Sequence, residues 1–157
     1  MSTELAHLIR RTVDTELPHL RALADDHASH PRAPGKWCPK EELGHLIDSA
    51  SNNHQRFVRA GLGPEFRGPG YTQDDWVRIH GYRDMPWQTL VVFWHEYNVL
   101  LAELVVRIPE ANLQNPCFIG DYPRNTLAFV IEDYVVHMQH HIDQLLRRPV
   151  ITPYPRA

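Results

Sequence analysis

Cysteine is scarce in this chain. Cys38 and Cys117 are the whole complement, 79 positions apart and in no CxxC pair. That is not the pattern of a disulfide-stapled secreted scaffold or of a thiolate zinc site. Long apolar runs are missing too. The longest, Leu90 to Trp94 and Leu127 to Ile131, hold five residues each, far short of a membrane span. The start, MSTELAHLIRR, has no basic segment followed by an apolar stretch, so no signal peptide is read and the cytoplasm is the expected compartment. Concentrated positive charge is also lacking. The 16 Lys and Arg are scattered against 19 Asp and Glu, net −3, with the densest spots at Arg10-Arg11 and Arg147-Arg148. Nothing there tracks a phosphate backbone, so nucleic acid is not an expected partner. Finally, no apolar-polar alternation of useful length appears, which argues against a sheet-built fold.

What remains is a helical pattern punctuated by proline. The chain has 157 residues, enough for one domain that buries about 70% of the surface its unfolded form exposes. Its 13 prolines leave three open windows, 40–63, 87–108 and 124–148, and a fourth segment, 3–28, broken only by Pro18. Proline disfavours helix interiors, so long helices belong in these windows. Each carries a stripe at spacings of three and four. Examples are Leu90, Val91, Trp94, Tyr97, Leu101, Leu104 and Val105, and Leu127, Ile131, Tyr134, Met138, Ile142 and Leu145. The prediction is an all-α four-helix bundle filling residues 1–157, with helices at about 3–28, 39–61, 86–108 and 124–148. Pro18 is expected to kink the first helix or begin a second piece of it. Val92, Phe93, Val99 and Leu100 lie outside their stripe, so that helix is covered on two sides or joins a homodimer. The long connection 62–86 has room for a short helix near Gln73–Tyr82. Its aromatics Tyr71, Trp76, Tyr82 and Trp87 either cap the core or line a pocket. The tail 149–157, PVITPYPRA, is too rich in proline for a helix; it is loose or packs across the bundle.

Histidine is abundant, with 11 copies. The densest cluster is His137-Met138-Gln139-His140-His141. Residues four apart stack on one helix face, so His137 and His141 can grip one ion, while His140 points further out. The same spacing also suits a solvated, histidine-rich helix edge. Asp133 and Gln144 stand where either could orient a ligand ring. A catalytic site needs a third ligand, and the second helix offers two. His45 and His54 are nine apart and face opposite sides, so one alone can join. His54 falls on the apolar stripe and reads as a core histidine. His45 sits with Glu41, Asp48 and Asn52 and reads as a surface one. Periodicity chooses neither. His7, His19, His27, His30, His80 and His95 read as surface or core side chains, and Trp37 as a packing anchor.

Two motifs carry a family resemblance. The segment from Gly35 to Asp48, GKWCPKEELGHLID, resembles the second-helix motif of the DinB/YfiT-like superfamily, and HMQHHIDQ, His137 to Gln144, resembles its fourth-helix motif. The resemblance extends over roughly 3–148. It implies an up-down-down-up bundle in which His45, His137 and His141 hold a divalent metal. Three nitrogens suit Zn, Ni, Fe or Co. It further implies a metal-dependent hydrolase, or a transferase of a low-molecular-weight thiol, acting on a small molecule. The alternative is a non-catalytic metal-binding or stress-response module. Asp48, Asp133 and Glu41 are candidate general bases, and His140 a candidate proton shuttle. Two departures stand out. Asp143 replaces a frequent glycine and is expected to be exposed. Cys38 replaces Ser or Thr at a helix start, where it is either a small residue that fits or a thiol activated by the helix terminus.

Overall fold

The computed structural model describes residues 1–155. Helices α1 (Ser2–Arg21), α2 (Asp25–Ala28), α3 (Pro39–Leu62), α4 (Gln73–His80), α5 (Trp87–Val105) and α6 (Leu127–Leu145) follow in chain order. The long ones, α1, α3, α5 and α6, form the bundle. The first differs from expectation. Pro18 sits inside α1, and the helix runs on past it to Arg21. The break comes afterwards, where Asp25 accepts from the Trp87 backbone at 2.7 Å and from Lys40 Nζ at 2.9 Å. Those contacts to two other helices hold the chain out of line, so residues 25–28 form a separate turn.

Helix directions follow from which ends meet. The Trp87 indole, at the start of α5, donates to the Leu20 carbonyl at the end of α1, while Ser2 Oγ donates to Ile108 O beyond the far end of α5. These two helices are antiparallel. Tyr82 packs on Gly44 near the start of α3, and Ile108 on Gly61 near its end, so α3 and α5 are parallel. His45, early in α3, meets His137 late in α6, so that pair is antiparallel. Gln139 reaches Glu16 at 3.2 Å, late in both helices, so α1 and α6 are parallel. The order is up-down-down-up. Because α3 and α5 are consecutive and parallel, the connection 63–86 must run back along the bundle; a second long connection, 106–126, joins α5 to α6.

The core is where the apolar stripes meet. Phe57, Trp87, Trp94, Leu43, Leu101 and Ile131 are all essentially inaccessible to solvent. Trp87 and Tyr82 are buried, as expected of side chains that cap the core. A small sheet departs from the all-helical reading. Strand β1 (Phe66–Gly68) pairs in parallel with β2 (Pro116–Ile119), which pairs antiparallel with β3 (Asn125–Thr126). Segments this short cannot display an alternating pattern, and β1 finds its partner about fifty residues away. The sheet ties the two long connections together and leads into α6, whose Thr126 side chain accepts from the Phe129 amide at 3.2 Å.

The end of α6 sets the path of the tail. Arg147 adopts a left-handed conformation, φ 53°. Its amide returns to Gln144 O at 3.1 Å, and the Arg148 amide to Asp143 O at 3.1 Å. This paired 5→2 and 6→1 termination closes the last carbonyls and turns the chain back. Arg148 is then clamped, with Nε at 2.6 Å from Asp143 and a terminal nitrogen at 2.6 Å from Glu16 on α1. Asp143, expected on the surface, is thus 1% exposed. The arginine five residues on draws it inward.

Candidate metal centre

Helix α3 begins at Cys38-Pro39. Proline suits the first helical turn, where its missing N–H leaves no bond unmade. The Cys38 amide donates to Glu41 Oε2 at 2.9 Å, which closes the helix start. The Cys38 thiol is buried, and burial raises its pKa rather than lowering it. Cys38 is a small residue that fits, not an activated nucleophile. Cys117, in β2, is likewise buried and has its thiol pKa pushed up to about 11 by burial.

Two turns into α3, His45 is 1% exposed and faces α6. What looks on a helical wheel like a polar surface strip is an inward one: Glu42, Asp48 and Ser49 are buried with it. His137 and His141 project from α6 toward the same point. Nε2 of His45 and Nε2 of His137 stand 2.9 Å apart. One ligand nitrogen from each of the three imidazoles fits within a span of 4.8 Å. Ring centroids lie 4.5 to 4.9 Å apart, tilted steeply to one another. Rings that meet edge to edge aim their nitrogens inward.

Neighbours fix each ring. Glu42, 4% exposed, approaches His141 Nδ1 to 2.5 Å. The carboxylate accepts a hydrogen bond from the Nδ1–H of that ring, which leaves the Nε2 lone pair free. Trp37 packs on His45 with centroids 5.1 Å apart. His45 Nδ1 is buried and has no partner among the described residues, so on that side packing alone holds the ring. Tyr154, from the tail, covers His137 at 4.9 Å. Burial, with the neighbouring His141 adding to it, lowers the His45 pKa to about 3, and the same causes push His137 well below its ordinary value. Both rings are therefore neutral at physiological pH, the state in which imidazole binds a cation.

This donor set fits a divalent ion. Nitrogens at the ~2.0–2.1 Å typical of zinc sites would stand about 3.3 Å from one another at tetrahedral angles. The spacing seen here brackets that value. Three neutral imidazoles also leave the ion its full charge and a position for a further ligand, the pattern of catalytic rather than structural sites.

Other predicted residues fare differently. His54 is half-buried and bonds to Tyr97 Oη at 3.1 Å, remote from the cluster. Asp48 is buried, with Oδ1 accepting from Tyr82 Oη at 2.6 Å and approached by His80 Nδ1 at 3.3 Å. A Cβ on Gly44 would lie 2.1 Å from the Tyr82 ring, so only glycine admits this arrangement. Burial raises the Asp48 pKa against the opposing pull of Tyr82. Glu41 is engaged by Arg83 at 3.0 Å as well as by the helix start. His140 bonds to Thr152 O at 3.0 Å through Nδ1 and to Gln144 at 2.7 Å through Nε2. With both ring nitrogens engaged, it anchors the tail. Gln144 therefore orients His140 and not a cluster ring. Asp133 accepts from Tyr154 Oη at 3.3 Å. Sequence reasoning missed Glu42 and Tyr154. Glu42 lies three residues before His45 and shares its side of α3, which was the available signal. Nothing local marks Tyr154, because only the turn at Arg147 carries the tail over the cluster.

The comparisons with known proteins agree with this fold. Residues 8–145 match the DinB superfamily, and the chain belongs to it. A solved structure similar to this one is that of YfiT from Bacillus subtilis, described as a probable metal-dependent hydrolase with an unusual four-helix bundle topology. The two share 17% sequence identity with a TM-score of 0.82, over 93% of this chain and 84% of that one. At that identity the likeness establishes the fold. No curated protein matches the sequence significantly. No helix among the described residues is long and apolar enough to cross a membrane.

Proposed function

We propose that this protein is a metal-dependent enzyme acting on a small molecule, with His45, His137 and His141 as ligands to one divalent cation. Zinc, nickel, iron and cobalt all suit the three nitrogens. The observation that carries the reading is the convergence of three buried imidazoles from two helices, with Glu42 behind one of them. When bound, the cation supplies Lewis acidity toward a water, a thiol or a substrate oxygen. The protein's own residues set the conditions. Burial keeps His45 and His137 deprotonated and ready to bind. Glu42 holds the His141 ring and tautomer. Tyr154 screens His137 from water on the tail side. Of the candidate bases, Asp133 holds the Tyr154 hydroxyl, whose ring covers His137, while Asp48, Glu41 and His140 have partners of their own.

Hydrolysis is favoured by the description of YfiT; transfer of a low-molecular-weight thiol to a small electrophile uses the same site. Untagged, metal-loaded protein assayed against ester, amide and thiol-plus-electrophile panels separates the two. Turnover is expected in one panel and is expected to vanish on metal removal and in His141→Ala. Stoichiometric metal with silence across all panels would instead make this a metal-binding module. A homodimer is also proposed, through Val92, Phe93 and Leu100 on α5, each about half exposed. Light scattering of Phe93→Glu against wild type tests it; a monomeric wild type rejects it.

A further inference from the structure

Helix α3 carries a polar row that the metal reading leaves unused. His45, Ser49, Asn52 and Arg56 follow at spacings of four, three and four, along one face of the helix. Arg56 is therefore about 16 Å farther along the axis than His45, on the same side.

Among the described residues two arginines are partly buried, Arg148 and Arg56. Arg148 has two carboxylate partners. Arg56 is partly buried as well, yet among the described residues no carboxylate pairs with it. Its polar contact is a long one, to the neutral Asn53 Oδ1 at 3.3 Å. Burial lowers its pKa, and the groups opposing that are the Tyr71, Tyr122 and Tyr154 phenols and the Cys117 thiol. Two of these point back toward the histidines. Tyr154 covers His137, and Tyr71 lies beside Ser49, one turn from His45. A guanidinium withdrawn from water without a counter-charge costs stability. Its planar fork is, however, the group best suited to grip a carboxylate or phosphate.

We propose that Arg56 is the receptor for an oxyanion on the substrate, placing the substrate among small carboxylic or phosphoric acids whose anionic end lies about three turns of α3 from the reacting group. The assignment of the reacting end rests on the metal-enzyme reading; the anion site does not. The test uses metal-free full-length protein, titrated separately with inorganic phosphate and with glutarate, while the Arg56 Nε–Hε signal is followed by NMR. Wild type, Arg56→Lys, Arg56→Gln and His141→Ala are compared. Saturable binding of at least one anion is expected in wild type. His141→Ala should retain it, Arg56→Lys keep part of it, and Arg56→Gln bind at least about tenfold more weakly. A response to phosphate alone names a phosphorylated substrate, and to glutarate alone a carboxylate. The thermal midpoint of Arg56→Gln should not fall below wild type, whereas a purely structural arginine would lower it. Binding to Arg56→Gln equal to wild type overturns the inference. So does binding that needs the metal and is lost in His141→Ala, or no binding to wild type. Metal titration of the same samples keeps the two readings apart: metal binding without an anion response sinks the role of Arg56 alone, and an anion response without metal binding sinks the metal reading alone.

Discussion

Two buried polar clusters join α6 to its neighbours, and they are built on opposite plans. In one, Arg148 draws Glu16 and Asp143 together at 2.6 Å each, so positive and negative charge meet directly. In the other, His45, His137 and His141 are alike, and Nε2 of His45 faces Nε2 of His137 at 2.9 Å. The first completes itself with groups of its own. The second gathers ring nitrogens around one point, and no cation among the described residues stands there. Burial of polar side chains thus does not by itself mark a site. A structural cluster brings its own counter-charges, and a binding cluster leaves a place for one.

The contrast predicts which substitutions damage the fold and which damage binding. The largest effect on stability belongs to Arg148→Ala. It strands two buried carboxylates and is expected to cost about 3 kcal/mol in chemical denaturation, the low end for a broken buried pair because the arginine is partly exposed. Metal stoichiometry should not change; if it does, the two clusters are not independent. Next comes Glu42→Gln, which keeps the shape but weakens the grip on His141. Metal affinity is expected to fall about tenfold to a hundredfold with little change in the stability of the metal-free protein. An affinity equal to wild type would show that the 2.5 Å contact is not used.

The pH response of the metal-free protein is smaller at any one step. Buried His45 titrates near 3 in the fold against about 6.5 in the unfolded chain. The unfolded state therefore binds more protons throughout that window, and stability falls as pH drops through it. The expected slope is about 1.4 kcal/mol per pH unit for this histidine, before any contribution from His137, and zero above the window. Denaturation midpoints measured from pH 7 to 4, in His45→Phe beside wild type, check the sign and the share. A wild type that gains stability on acidification would contradict the burial argument.

The parts of this molecule that could be read beforehand are those written in one helix at a time. The 3–4 stripes located α3, α5 and α6 to within a few residues, because a face of 100° is visible in any window of ten or more. The stripe did not show whether a polar strip faces water or another polar strip, which is why His45 and His54 looked equivalent. Only the family motifs separated them, and the fold keeps His54 with Tyr97. Contacts between distant segments were invisible: Asp25 with Trp87, Glu42 with His141, β1 with β2, and the tail with His137. Asp143 is the clearest lesson. Its neighbours in sequence say surface, and one arginine beyond the helix end reverses that.

The central claim is that three particular imidazoles hold one cation. Isothermal titration of untagged, metal-stripped protein with zinc, run on wild type, His45→Ala, His137→Ala, His141→Ala and His54→Ala, tests it most directly. The account predicts one ion per chain for wild type and His54→Ala, and affinity lost by about a hundredfold or more in each of the other three. Full binding in His45→Ala, or its loss in His54→Ala, would contradict it.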